Sequence, residues 1–203
     1  MTLSDVINKV KVSLMGTADY FERAQADESI SLYKLMVQSG LAKLRTINPL
    51  TMSGTIFLAP GVAKYDGPDD LWTIKSHTWG ANQQSPWECG FVGNIPTVTV
   101  SNGSLLFSVA PTGSMLNSLG RQFQYFYLAN YSLTEDAAQN NVPEELEPIL
   151  LLLCQAAAME MLMVRGASNP VSVKAGVGRI SRAAPADVYD LLMKSAKEMA
   201  LHS

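Results

Sequence analysis

The chain has few of the side chains that catalysis and metal binding most often use. Charged residues make up 16% of its 203 positions, and it contains two histidines and two cysteines. His77 and His202 lie far apart, and none of these four residues stands at a spacing typical of a preorganised zinc site. No glycine-rich phosphate-binding loop is visible either. The sequence therefore predicts no catalytic residue, no metal site and no bound cofactor.

The charge balance and the short apolar runs exclude further classes. Lys and Arg total 15 against 18 Asp and Glu, so the chain offers no basic footprint for reading nucleic acid. Its longest apolar stretch, residues 149–159, is shorter than the ~20 residues that cross a bilayer. The N-terminus lacks the continuous apolar core of a secretory signal. Cys89 and Cys154 are too few for a disulfide framework, so we expect an intracellular product with reduced thiols and no membrane contact.

The chain has sequence patterns typical of helices at both ends and patterns typical of strands between them. Apolar residues follow helical spacing from Leu3 to a stop at Gly16, and from Asp27 to Asn48. Residues 51–133 form short β-rich runs, with a hairpin signal at Asn102-Gly103. These patterns predict an α+β fold, in which a helical bundle from residues 1–50 and 134–203 carries an inserted small β-sandwich or barrel lobe at 51–133.

The helix predicted between Pro143 and Gly166 is unusual. Pro148 must kink or restart it, because proline cannot donate the helical hydrogen bond. Residues 149–164 are apolar at almost every position, as expected of a helix that is buried on all sides. We expect its cover to come from the other helices and from a neighbouring subunit, while its methionines serve either as core or as an adaptable binding surface.

Two other segments have unusual charge. Residues 89–120 contain no charged side chain, so this part of the lobe either presents a Ser/Thr/Asn surface or faces another protein. Residues 167–184 carry basic side chains without an acid and predict an exposed loop or a loose hairpin. A last helix is predicted after Pro185, with acids early and lysines late.

Several short motifs follow one another along most of the chain. After the two N-terminal helices comes the stretch 55–74, with a strand, a Gly-x-x-x-Tyr turn, a Pro-x-Asp-Leu segment and a strand. Residues 103–131 supply a hairpin and a tyrosine-rich strand, and residues 133–146 supply a Leu-Thr linker and a helix opened by Pro-Glu. This succession resembles the head-to-tail adaptor (connector) proteins of tailed bacteriophages, which form a ring beneath the portal. Gly67 and Pro148 depart from the family pattern.

The resemblance implies a structural role in the virion neck, after synthesis in the host cytoplasm. Its implied partners are further copies of the chain in a ring, expected to be a dodecamer, together with the portal protein and a tail or nozzle protein. Genomic DNA would be passing cargo only. A closed ring needs two different contact faces on each subunit, so the uncharged lobe and the apolar helix would be covered by neighbours. No catalysis is implied.

Candidate contact residues follow from this interpretation. We expect the segment from Val171 to Ser203 to dock on the portal, although its helix could equally pack on the helical core. The portal-docking candidates are Arg179, Arg182, Tyr189, Leu192, Met193 and Met199. The ring-interface candidates are Leu151, Met159, Met161, Met163, Leu105 and Phe107.

Two alternatives remain open at this point. The chain could be another neck component, such as a tail-completion, stopper or decoration protein. It could also be a small hydrolase or ligand-binding protein, because clustered aromatic side chains can form a pocket. That pocket would be lined by Tyr65, Trp72, Trp79 and Trp87.

Overall fold

The computed structural model describes residues 1–22, 26–88, 91–166, 170–175 and 178–202. Cys89 lies outside these ranges. The helices are α1 (Leu3–Leu14), α2 (Asp19–Glu22), α3 (Ala26–Ile47), α4 (Gly113–Leu119), α5 (Glu147–Val164) and α6 (Pro185–Ala200). The strands are β1 (Leu50–Phe57), β2 (Lys64–Asp66), β3 (Leu71–His77), β4 (Val98–Ser101), β5 (Ser104–Phe107), β6 (Gln122–Ala129), β7 (Val171–Ala175) and β8 (Gly178–Ala183). This mixture of helices and antiparallel sheets confirms the predicted α+β class.

The chain divides into two units. A helical unit contains Met1–Asn48 and Tyr131–Ser203, and a β unit contains Pro49–Asn130. The sequence analysis placed these boundaries at residues 50 and 134.

Helix α1 begins as its sequence predicts but ends earlier. The Thr2 side chain accepts a hydrogen bond from the Asp5 backbone, and the Asp5 carboxylate accepts one from the Thr2 backbone at 2.9 Å. Hydrogen bonding from the Thr2 backbone, and then from its side chain, lowers the pKa of the Asp5 carboxylate. The reciprocal pair also satisfies N–H groups that a helix start otherwise leaves unpaired. The helix ends at Leu14, and the left-handed backbone after it belongs to Met15 (φ 50°) and not to the predicted stop at Gly16.

Pro148 restarts the long C-terminal helix. A 3₁₀ turn at Glu144–Leu146 precedes α5, which begins at Glu147 and therefore holds Pro148 in its first turn. A proline there costs no helical hydrogen bond, because the first N–H groups of a helix have no partner inside it. Of the two predicted outcomes, the structure shows the restart.

Helix α5 is the centre of the helical unit. Helices α3 and α6 pack along it, and α1 contacts it as well. Its buried side chains are Ile149, Leu150, Leu152, Leu153, Cys154, Gln155, Ala156, Ala157, Ala158, Met159 and Leu162. By length and composition alone residues 144–164 could cross a membrane, but 61% of their most apolar window is buried inside the chain, as in a core helix.

The basic segment before α6 is a hairpin that is attached to the core. Strands β7 and β8 pair antiparallel, and Val171 and Val173 are 2% and 0% exposed. The Thr17 hydroxyl donates to the Ser172 carbonyl at 2.9 Å, which attaches the hairpin to the turn after α1. This segment is therefore more firmly packed than the exposed loop or loose hairpin that its composition predicts.

The β unit consists of two three-stranded antiparallel sheets, with strand orders β1-β6-β3 and β2-β5-β4. Leu105 and Phe107 of one sheet pack with Phe123 and Tyr125 of the other in one core. The described strands form no closed barrel, so the sandwich alternative is the one observed. At the predicted β4–β5 hairpin, Asn102 has φ 50° and Gly103 has φ 72°, the left-handed pair that a two-residue turn requires.

Candidate interaction surfaces

An apolar groove lies between α1 and α5, which we call the α1–α5 groove. It has a volume of about 440 Å³. Lys9 on α1 and Glu147 on α5 form an ion pair at its edge. Val12, which is 75% exposed, contributes a large apolar side chain that has little cover. The full lining is Asn8, Lys9, Val12, Ser13, Glu147, Pro148, Leu151, Leu152, Gln155 and Lys174.

A second groove lies between α3 and α5, which we call the α3–α5 groove. Its volume is about 360 Å³, and its lining is Leu32, Leu35, Ser39, Ala157, Glu160, Met161, Val164 and Arg165. Leu35 is 48% exposed and Val164 is 84% exposed. Lys43 Nζ lies 2.8 Å from the Glu160 carboxylate and joins the two helices. This groove also presents apolar surface to solvent.

The two grooves lie on opposite sides of α5. The α1–α5 groove uses Pro148, Leu151, Leu152 and Gln155 of this helix, and the α3–α5 groove uses Ala157, Glu160, Met161 and Val164. At 3.6 residues per turn, these two sets are centred roughly 180° apart about the helix axis. One central helix therefore presents two different apolar faces to the outside of the helical unit.

The predicted ring-interface residues separate into two groups. Leu105, Phe107 and Met159 are 0%, 2% and 0% exposed, so they form the cores of their own units and are not available for contact. Leu151 and Met161 are partly exposed and line opposite grooves, and Met163 is 37% exposed. The groove residues Val12 and Leu35 were not singled out, because α1 and α3 residues join these grooves only through tertiary packing, and Val164 of α5 was not singled out either.

The predicted portal-docking residues also separate. Leu192 is fully buried, as are Val188 and Ala196 on the same helix, so α6 belongs to the core of the helical unit. The packing of this helix on the helical core, which the sequence analysis left open beside portal docking, is therefore observed for these three residues. Tyr189 and Met193 are partly exposed, and Met199 is 39% exposed. Arg179 and Arg182 lie on β8, and their side chains lie outside the described part of the structure.

The four aromatic residues proposed to line a ligand pocket lie in different surroundings. Trp79 is 3% exposed, and its Nε1 donates to the Gly120 carbonyl at 2.9 Å. The cavity beside it, about 140 Å³, is lined by none of the other three aromatic candidates. Tyr65 packs edge-on against Phe107 in the sheet core, whereas Trp87 is 84% exposed. Trp79 and Tyr65 therefore belong to the core of the β unit, whereas Trp72, which is 37% exposed, and Trp87 lie at its surface.

Several polar side chains lie partly or fully buried inside the β unit, among them His77 and the tyrosines of β6. The His77 ring packs 5.2 Å from the Phe123 ring and is partly buried. Tyr127 donates to the Asp70 carboxylate at 3.0 Å, and burial together with this bond raises its pKa to about 12. Burial also raises the pKa of Tyr125. Within the described residues, no three His, Cys, Asp or Glu side chains gather as a metal site would require.

The comparisons with known proteins add no family. No protein-family model matches the chain, and no curated protein matches it significantly.

Proposed function

We propose that this chain is a head-to-tail adaptor of a tailed bacteriophage, a structural protein that forms a ring under the portal and continues the DNA channel towards the tail. The observation that carries the proposal is the pair of apolar grooves on opposite faces of α5. A subunit in a closed ring contacts two neighbours through two different surfaces. Together with the order of sequence motifs, this arrangement favours a ring component.

The apolar surface supports an assembled state over an isolated one. Val12, Phe57, Trp87 and Val164 are 75%, 75%, 84% and 84% exposed. Scattered single apolar side chains are ordinary on a protein surface, but apolar grooves bordered by charged residues are typical of interaction sites. Both grooves have such borders, the Lys9–Glu147 pair in one and Glu160 in the other.

We assign portal docking to the exposed side of α6. Tyr189, Met193 and Met199 are the members of the predicted set that lie at the surface of this helix. Leu192 is left out because it is buried against the core. A deletion of the C-terminal segment would expose the core along α5, so substitutions at surface residues are the sharper test.

The first experiment measures the mass of the purified chain by light scattering, alone and after mixing with the portal protein of the same virion. Electron microscopy of any large species then follows. The proposal expects a ring stacked on the portal. A chain that stays monomeric and does not bind the portal would overturn it.

Two substitutions test the grooves separately. We expect Leu151→Glu in the α1–α5 groove and Val164→Glu in the α3–α5 groove each to prevent ring closure, because a buried unpaired carboxylate is costly. Val109→Glu is the matched control, since Val109 is 61% exposed and lies in neither groove. Rings that form normally with both groove variants would contradict the assignment of the two faces.

A double substitution tests the docking surface. Tyr189→Ser combined with Met199→Ser is expected to weaken binding to the portal by at least about 10-fold and to leave the ring itself intact, because both side chains lie at the surface of α6. Unchanged portal binding would show that another surface makes this contact.

A further inference from the structure

The α1–α5 groove contains a buried hydrogen-bond acceptor that has no partner. Gln155 lines the groove and is 2% exposed. Its Nε2 donates to the Lys174 carbonyl at 2.7 Å, whereas its Oε1 is buried and accepts no hydrogen bond from the described residues. A buried amide oxygen is almost always paired in a folded protein, because leaving it unpaired is unfavourable. An occupant of the groove that brings a donor to this oxygen would satisfy it.

The rest of the groove restricts the kind of donor. Val12, Pro148, Leu151 and Leu152 supply apolar walls, so an occupant gains by presenting a large apolar surface. The charges of Lys9 and Glu147 are paired with each other, and Lys174, the third charged residue of the lining, is exposed to solvent, so none of the three calls for an ion in the groove. The matching group is a neutral, largely apolar side chain with one donor. An indole has this chemistry, since its ring nitrogen donates and accepts nothing.

The β unit presents such a group at Trp87. No described residue accepts from its Nε1, and the side chain is 84% exposed. It stands on a turn in which the Glu88 N–H donates to the Ser85 carbonyl at 2.9 Å and the Glu88 carboxylate accepts from the Ser85 N–H at 2.9 Å. Pro86 restricts the same turn further. These bonds restrict the backbone at Trp87, which lowers the entropy that the turn loses on binding, and tryptophans are frequent interface hot spots.

We propose that the α1–α5 groove receives Trp87 from a second copy of this chain, with the indole N–H donating to Gln155 Oε1. The inference rests on the proposed function, because each subunit of a ring would then give one Trp87 to one neighbour and offer one groove to the other. Such a contact joins two different surfaces and so propagates around a ring.

Substitutions of Trp87 test the protruding side of the contact. Trp87→Ala is expected to weaken association between copies by at least about 30-fold, the effect of a hot-spot aromatic residue, measured by sedimentation equilibrium of the full chain. Trp87→Phe keeps the apolar surface but loses the donor, and it is expected to weaken association about 10-fold. Phe57→Ala is the matched control, because Phe57 is another exposed aromatic of the β unit (75%) and should change association less than about 2-fold. Equal effects of Trp87→Ala and Phe57→Ala would overturn the proposal.

A mixing experiment tests the pairing itself. Val12→Glu places a carboxylate at the groove, and Val12 is 75% exposed, so the folded chain tolerates the change. Each of Val12→Glu and Trp87→Ala is expected to be monomeric alone. Their equimolar mixture should form heterodimers and nothing larger, since one variant keeps an intact groove and the other keeps an intact Trp87. A mixture that remains monomeric, or either variant forming rings alone, would overturn the proposal.

Photo-crosslinking identifies the groove directly. A benzoylphenylalanine at position 87, in a mixture of isotopically labelled and unlabelled chains, should crosslink between copies to peptides of α1 or α5. A crosslink within one copy, to another surface or to the portal protein would overturn the contact. Heterodimers from chains that never bind the portal would support the contact and contradict the proposed function. Rings that form on the portal equally well with and without Trp87 would support the proposed function and contradict the contact.

Discussion

Gly40 on α3 packs against Cys154 on α5, and the packing there predicts the effect of one added methyl group. A Cβ at this position would lie 2.7 Å from Cys154 Sγ and 3.2 Å from the Cys154 backbone nitrogen. Both distances are shorter than normal contacts, and the Cys154 side chain is fully buried, so it has no free space to move into. The glycine allows the two helices to approach each other.

The magnitude of Gly40→Ala follows from two opposing effects. Overpacking a core site typically costs about 1–3 kcal/mol. Removing a glycine from a helix interior stabilises the folded chain by up to about 1 kcal/mol. Because the clash is with a buried side chain and with the backbone, we expect a net loss of about 1–2 kcal/mol in the free energy of unfolding. Urea denaturation followed by far-UV circular dichroism measures it.

A control and a rescue make this prediction specific. Gly16→Ala should change stability by less than about 0.5 kcal/mol, since a Cβ there meets nothing within 4 Å. In a Cys154→Ala background the cost of Gly40→Ala should fall by about 1 kcal/mol, because the sulfur that it meets is gone. Gly40→Ala that is as stable as the parent chain, or a cost that does not change in the Cys154→Ala background, would refute the close-packing argument.

Three further predictions concern the buried polar groups. The pKa of Tyr127 in the folded chain is about 12, above the ordinary value of 10.0. The stabilising contribution of this hydroxyl is therefore complete below pH 10 and is lost as the pH rises towards 12. Tyr127→Phe should flatten this alkaline decline in the free energy of unfolding, as measured by urea titrations. Burial raises the pKa of the Cys154 thiol to about 12, so iodoacetamide at pH 8 should modify this thiol only at the rate at which the structure opens locally. Mass spectrometry of a variant whose other cysteine is serine measures that rate. Alkylation as fast as that of a free thiol would contradict the burial. Trp79→Phe removes the 2.9 Å hydrogen bond to Gly120 and leaves a space in the sheet core. It should lower the free energy of unfolding by about 1–3 kcal/mol, as measured by thermal or urea denaturation. An unchanged stability would argue against this packing.

The sequence by itself determined most of the local structure. Period and end signals predicted α1, α3, α5 and α6, because capping residues and apolar spacing act within a few positions of each other. The Asn102-Gly103 turn follows from the two residues that most easily adopt positive φ. The α+β class follows from the order of helical and strand-like patterns along the chain. In contrast, β2 and α4 were missed, since three and seven residues are too few for a clear period.

The candidate sites depended on tertiary structure. Met159 and Met161 have similar neighbours in sequence, yet one is fully buried and the other lines the α3–α5 groove. A helix that is apolar on all sides carries almost no periodic signal, so nothing local shows which of its faces the chain itself covers. The same holds for Leu192 and Met193, adjacent on α6, of which only the first packs into the core. Exposure of these residues is decided by which other helices pack against them, because burial is a property of the packed elements and not of one segment.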